Sequence, residues 1–266
     1  MIVIKIGGAE GIGPRHACED IAALGAAGQP VVVVHGGSHE TNQLSERLGI
    51  EPRFITSPSG HTSRYTDEAA IDVFQMACRR LNARIVRMLR EMGVDAVGLS
   101  GIDGGLWAAR RKDAIRAIEN GVTTVIRDDH SGTIERVDSA MLEALLRLGK
   151  TPVLCPPAIG RECEPLNVDA DRAAAMTAAS LRADSLVILS NVPGLLRAFP
   201  DESSLIPSLS RGELQSAIEL AQGRMKRKVI AAGEAIDAGV SRVILADARR
   251  ERPITHALQG QGTCVT

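Results

Sequence analysis

Two lysines sit where chemistry would want them. Lys5 lies inside the apolar run Ile2–Ile6, just before Gly7-Gly8. An ammonium in such a strand is costly unless it projects into a polar site. A second apolar run, Val31–Val34, ends in His35-Gly36-Gly37. A glycine pair at a strand end lets phosphate oxygens approach backbone N–H groups closely. A helix starting just beyond adds its positive end to the same anion site. The second lysine, Lys228, belongs to Met225-Lys226-Arg227-Lys228-Val229, a basic cluster at a predicted helix start. Cations there oppose the helix dipole, so the cluster makes more sense if it meets phosphate. Neither glycine loop has the GxxxxGK[ST] or GxGxxG spacing, which disfavours those two nucleotide folds. Plainer readings stand beside these: Lys5 solvated at a strand end, glycine pairs as ordinary turns, and Asn167 and Asp171 as caps of a helix starting near Asp169.

The elements that must position these groups alternate strand and helix, the α/β pattern. Strands are expected at Ile2–Ile6, Val31–Val34, Ala96–Leu99, Pro152–Cys155, Leu186–Leu189 and Arg242–Leu245, with an edge strand at Thr263–Val265. Helices are expected over Ser38–Leu48, Thr66–Met92, Ser139–Leu148, Asp169–Leu181 and Met225–Ala238. The longest carries an apolar stripe of Ile71, Phe74, Cys78, Leu81, Ile85, Met88 and Met92. Between Gly101 and Gly132, strand-like pieces at Leu106–Ala109 and Thr124–Arg127 read as hairpins projecting from the main sheet. The expected architecture is a three-layer α/β sandwich with a mostly parallel central sheet, helices on both faces and a lobe boundary near Pro165–Asp169.

Composition excludes several classes. The chain has 266 residues, a formal charge of −1 and 2% aromatic residues. Near-neutral charge and scarce aromatics argue against a nucleic-acid surface. No apolar run reaches membrane-spanning length. The start, MIVIKIGG, enters a strand at once and lacks the layout of a secretory signal, so the cytoplasm is the expected compartment. Cys18, Cys78, Cys155, Cys163 and Cys264 are scattered without a CxxC pair, and no protein-held metal is expected. His39, His61 and His130 show no ligand spacing.

The motifs taken together are more specific. Lys5-Ile6-Gly7-Gly8 and His35-Gly36-Gly37, each after a strand, resemble the amino-acid kinase family. The likeness continues through Ser63-Arg64-Tyr65-Thr66-Asp67, Leu166-Asn167-Val168-Asp169-Ala170-Asp171, Ser190-Asn191-Val192-Pro193-Gly194-Leu195 and Met225–Val229. Ser-Asn stands where the family's nucleotide loop usually has Thr-Asp. The segments Gly98–Gly104, Ala221–Lys228 and Ala246–Arg249 are similar to the acetylglutamate kinase-like branch whose substrates, aminoadipate or glutamate, ride on an acidic amino-group carrier protein of the LysW type.

This resemblance implies one kinase domain over 1–266, with the acyl substrate held by about 1–166 and MgATP by about 167–266. It implies a homodimer with the Thr66–Met92 helix as candidate interface, in lysine- or arginine-type biosynthesis. Lys5 and Lys228 would stabilise the transferring phosphoryl group, Asp171 would orient both, and Gly8 and Gly37 would line that group. Gly36, Gly37, Arg64 and Asn167 would bind the substrate. Lys5, Gly7, Gly8, Ser190, Asn191, Gly194, Leu195, Met225 and Lys228 would bind ATP, which carries the Mg²⁺. Arg110, Arg111, Lys112 and Arg116 would dock the carrier, or else form a solvated edge. Two alternatives stay open: a kinase for free N-acetylglutamate, and a non-catalytic nucleotide-binding protein of the same fold.

Overall fold

The computed structural model describes every residue except 9, 59, 61, 120 and 121, and for residue 119 the backbone alone. His61 therefore lies outside the described residues. The first half runs β1 (Ile2–Ile6), α1 (Arg15–Ala26), β2 (Val31–His35), α2 (Ser38–Arg47), β3 (Phe54–Thr56), β4 (Thr62–Arg64), α3 (Glu68–Glu91), β5 (Ala96–Gly101), β6 (Trp107–Arg111), β7 (Ile115–Glu119), β8 (Val122–Ile126), β9 (Gly132–Val137), α4 (Ser139–Arg147) and β10 (Thr151–Ile159). The second half runs β11 (Pro165–Leu166), α5 (Ala170–Ser180), β12 (Ser185–Ser190), β13 (Ser208–Leu209), α6 (Leu214–Leu220), α7 (Gly223–Asp237), β14 (Val243–Asp247), α8 (Pro253–Leu258) and β15 (Thr263–Val265).

An 11-stranded sheet orders these strands β13-β15-β14-β12-β1-β2-β10-β6-β9, with β5 and β11 also on β10. Its centre is parallel: β1 pairs with β12 on one side and β2 on the other. Strands buried on both faces need apolar residues at every position. The β-branched runs of β1 and β2 meet that demand, and every residue of both is buried. Side chains alternate between faces, so each strand feeds two cores. Val3, Val32, Val34, Leu186 and Ile188 pack with residues of α4, α5 and α7. Ile2, Ile4, Ile6, Val31, Val33, Val187 and Leu189 pack with residues of α1, α3 and α8. By that alternation Lys5 falls on the α5/α7 face and His35 on the α3 face.

The expected strands and helices are present, with revisions. The piece at Leu106–Ala109 does not project: β6 pairs with β9 in the main sheet, and Trp107 is fully buried with Nε1 donating to Thr177 Oγ1 at 3.2 Å. The piece at Thr124–Arg127 is β8, which pairs with β7 in a separate antiparallel sheet ordered β4-β3-β7-β8. The inner side of that sheet is closed by Ile55, Tyr65 and Ala117. β15 is not an edge, because β13 pairs outside it. In α3 the stripe buries Leu89, while Met88 is partly buried. Asp67 caps that helix by accepting from Ala70 N at 2.9 Å.

α1 and α8 escaped the sequence reading, and a buried carboxylate joins them. Asp20 accepts from Ile254 N and Thr255 N, both at 2.7 Å, and from Thr255 Oγ1 at 2.5 Å. It thereby satisfies the open N–H groups at the start of a helix far away in the chain. Replacing Asp20 by Ala would strand those donors. The expected cost is about 2–4 kcal/mol of unfolding free energy, read by urea denaturation.

Candidate functional site

The site forms where β1, α5 and α7 meet. Lys5 Nζ lies 2.7 Å from Asp171 Oδ1 in an ion pair. Lys228 Nζ donates to Asp171 Oδ2 at 2.8 Å. All three side chains are about nine-tenths buried. Burial alone would push the Asp171 carboxyl up. The ammonium groups of Lys228 and Lys5 outweigh it and hold the carboxyl well below the usual carboxylate range. For Lys228, burial dominates: its pKa is lowered, with Lys5 adding repulsion and Asp171 opposing. The cluster keeps one net positive charge beside the glycine loops, an arrangement suited to a phosphoryl anion.

Local sequence explains why Asp171 is free for this work. The helix cap is Asp169, whose side chain accepts from Asp171 N at 2.9 Å and Arg172 N at 3.1 Å. Neither Asn167 nor Asp171 is spent on capping. Asn167 is not on the α5 face at all. Its backbone is clamped between His130 O (2.8 Å) and Gly132 N (2.9 Å). Its Nδ2 donates to Thr66 Oγ1 at 3.0 Å. The buried Asp129 carboxylate completes this corner by accepting from Thr66 N at 2.8 Å and Ser131 N at 2.7 Å.

The glycine loops touch, and sterics demand glycine at Gly8 and leave little room at Gly37. A Cβ on Gly8 would lie 2.6 Å from Gly36 C and Gly37 N, and one on Gly37 would lie 2.6 Å from Cys78 Sγ. Ser38 Oγ and His39 N donate to Gly8 O at 2.8 and 2.9 Å, tying the first loop to the start of α2. Arg64, at the end of β4, bonds Asn42 Oδ1 through Nη2 and covers the Phe54 ring at 5.1 Å. Burial lowers its pKa.

The remaining expected residues divide. Ser190 is buried, with its hydroxyl donating to Val192 O at 3.2 Å, whereas Asn191 is exposed. Leu195 is core, its N–H donating to Thr263 Oγ1 at 2.9 Å, and Gly194 packs closely on the same threonine. Met225 packs against the α5/α7 core. Gly7 lines a cavity of about 410 Å³ under the first loop, together with Gly8, His35 and Arg84.

Two basic clusters do not act as units. α7 begins at Gly223, two residues earlier than expected, and fans its cations apart. Lys228 meets Asp171 and Lys226 is exposed, while Arg227 bonds the Thr62 carbonyl of β4. Strand geometry likewise splits the run on β6. Arg110 pairs with Glu135 at 3.0 Å, and Arg111 Nε donates to Asp129 O at 3.0 Å. Lys112 and Arg116 remain exposed. Sequence reasoning missed Thr66, Asp129 and the bond of Arg227, because each depends on contacts distant in the chain.

Comparisons with known proteins agree on kinship. The model of the amino acid kinase family matches residues 1–247. The [LysW]-aminoadipate kinase of Deinococcus radiodurans is 50% identical over all of this chain and 91% of its own length. The [LysW]-aminoadipate kinase of Thermus thermophilus is 49% identical, with 100% of both chains covered. The [LysW]-aminoadipate/[LysW]-glutamate kinase of Saccharolobus solfataricus is 36% identical over 100% of this chain and 99% of its own. Among solved structures, N-acetylglutamate synthase from Neisseria gonorrhoeae superposes with a TM-score of 0.80 at 27% identity, covering all of this chain and 59% of that one. Carbamate kinase from Giardia lamblia, at TM-score 0.69 and 17% identity over 99% of this chain and 97% of that one, shares the fold.

The buried cluster carries a stability prediction. Asp171→Ala leaves two buried ammonium groups without their counter-charge and is expected to cost about 3–5 kcal/mol. Because the folded pKa of Asp171 is depressed, its contribution is complete above its unfolded value of about 3.9. It is lost as pH falls through the folded value. Urea titrations near neutral pH should therefore show the full gap between wild type and variant, and the gap should close in strong acid as Asp171 protonates.

Proposed function

The chain belongs to the amino acid kinase family, and we propose that it phosphorylates the side-chain carboxylate of aminoadipate carried on an acidic LysW-type protein, with glutamate as the second acid. The observation that carries the chemistry is Asp171 holding Lys5 and Lys228 at the mouth of two touching glycine loops. The names and full-length match of the relatives support the choice of substrate.

The substrate carboxylate is already ionised at neutral pH, so no base is needed. One of its oxygens attacks the γ-phosphorus of ATP, and the bond to the β-phosphate oxygen breaks. The products are an acyl phosphate and ADP. The obstacle is repulsion between two anions, which fixed cations and N–H groups relieve. In this reading Lys5 and Lys228 neutralise the transferring group, held apart and aimed by Asp171. Gly8 and Gly37 offer backbone N–H groups to it. Arg64, Gly36 and Asn167 hold the substrate, with Thr66 and Asp129 keeping Asn167 in place.

Residues of the second half bind the nucleotide, by way of Ser190, Asn191 and the start of α7. Mg²⁺ would come with ATP and would supply charge neutralisation; Asp171 is committed to two ammonium groups, so it is not assigned as a ligand. The carrier meets the exposed cations Lys112 and Arg116 near the small sheet, a narrower patch than the sequence run suggests. Pairing of two copies through α3, where Met76 is exposed, belongs to the same proposal. Among the described residues no helix is long and apolar enough to cross a membrane.

Hydroxylamine trapping of the acyl phosphate, with ADP release, tests the reading. Carrier charged with aminoadipate should turn over, and free N-acetylglutamate should not. Efficient use of the free N-acetyl acid would assign the chain to acetylglutamate kinases instead. Lys5→Ala and Lys228→Ala should each lower kcat by about 100-fold or more. Near-full turnover in either folded variant would refute the assigned role.

A further inference from the structure

His35 ends β2 and is completely buried on the α3 face, opposite Lys5. Its hydrogen bonds can be oriented from a fixed point. Val153 O is a backbone carbonyl and can only accept. The Asn82 side-chain atom 2.9 Å from it is therefore the amide nitrogen. That same nitrogen lies 3.1 Å from His35 Nε2, so Nε2 must accept. A neutral ring that accepts at Nε2 carries its proton on Nδ1. Nδ1, 2.9 Å from Gly36 O, is thus the donor of that bond. An imidazolium would set N–H against N–H at Asn82. Burial, with the charges of Lys5 and Arg84, also pushes the ring down to about 4.

The bond falls on a peptide that needs it. Gly36 N–H is held by Ile6 O at 3.3 Å, and Gly37 O is held by Thr41 N and Thr41 Oγ1 at 2.8 and 2.7 Å. The peptide between them joins two glycines, which resist rotation least. Its C=O and N–H point in opposite directions, as in any trans peptide. With the carbonyl turned to His35, the N–H is directed away from the ring. This peptide is the one packed against Gly8. A flipped peptide would aim a carbonyl oxygen at an incoming anion.

We propose that His35, as a neutral Nδ1-protonated imidazole supported by Asn82, is a positioning residue that locks the Gly36–Gly37 peptide with its N–H available to the transferring phosphoryl group. The catalytic part rests on the kinase reading above; the hydrogen-bond chain does not. A donor that acts on the transition state should change kcat more than KM.

The test combines two variants with a spectrum of the wild type. His35→Leu should lower kcat at least about 30-fold, with KM for MgATP and for the acyl substrate within about threefold. His35→Asn places an amide N–H near the Nδ1 position and should restore kcat to within about fivefold of wild type. Equal losses in both variants, a loss confined to KM, or unchanged turnover in His35→Leu would overturn the proposal. Melting temperatures separate misfolding from mispositioning. If His35→Leu does not fold, the wild-type ¹H–¹⁵N imidazole spectrum decides. It should show one neutral Nδ1-protonated tautomer that does not titrate between about pH 6 and 9. An Nε2-protonated ring, or titration in that range, would overturn it. A wild-type protein with the expected tautomer but no acyl-phosphate product would sink the kinase reading and leave the hydrogen-bond chain standing.

Discussion

A carboxylate buried between two ammonium groups is the interaction on which the rest of this structure depends. Taking three charges out of water is expensive, and mutual attraction offsets that cost only when the geometry is tight. Asp171 meets the condition with contacts of 2.7 and 2.8 Å to groups from two other elements. β1, α5 and α7 must therefore hold their places to within fractions of an ångström. The alanine face of α5, with Ala173, Ala174 and Ala178 fully buried, lets the helix lie close over the sheet. Asp169 takes the capping duty that Asp171 would otherwise share. One excess positive charge remains, which suits the arrangement to an anion.

Around this centre, polar groups are anchored mainly by backbone rather than by one another. Thr66, Asn167 and Asp129 each bond at least one main-chain atom contributed by another segment, and Asn82, which meets the His35 ring, donates to Val153 O. Backbone partners move little, which makes such chains good at fixing direction. The glycine loops need this support, because the absence of Cβ that permits their contact also removes their restraint.

The small sheet shows the opposite design. It lies outside the main sheet and leaves Phe54, Ile118, Val122 and Val125 largely exposed, with Arg116 among them. Arg227 of α7 reaches across to Thr62 of this sheet, and Arg111 reaches Asp129 at its base. Helix α7 and the β3–β4 hairpin are thereby in direct contact.

The sequence by itself determined the parallel centre, since runs such as Val31–Val34 satisfy only a strand covered on both faces. It also determined which face Lys5 occupies: period-two alternation sets it beside Val3 and across from Ile4 and Ile6. The order of glycine pairs, Arg64, Asn167–Asp171 and Met225–Val229 was enough to reveal the family. Only the tertiary structure decided that Asp169, not Asn167 or Asp171, caps α5, and that Lys226, Arg227 and Lys228 diverge. It alone decided that β6 joins the main sheet while β7 and β8 leave it, and that His35 donates to Gly36. The physical reason lies in what a pattern can encode. Patterning encodes which face of an element is apolar, a local property read every two or three residues. A polar group's role is set by the one partner within about 3 Å. At Asp171, Thr66, Asn82 and Arg227 that partner lies more than fifty residues away along the chain for at least one bond, a relation that only folding establishes.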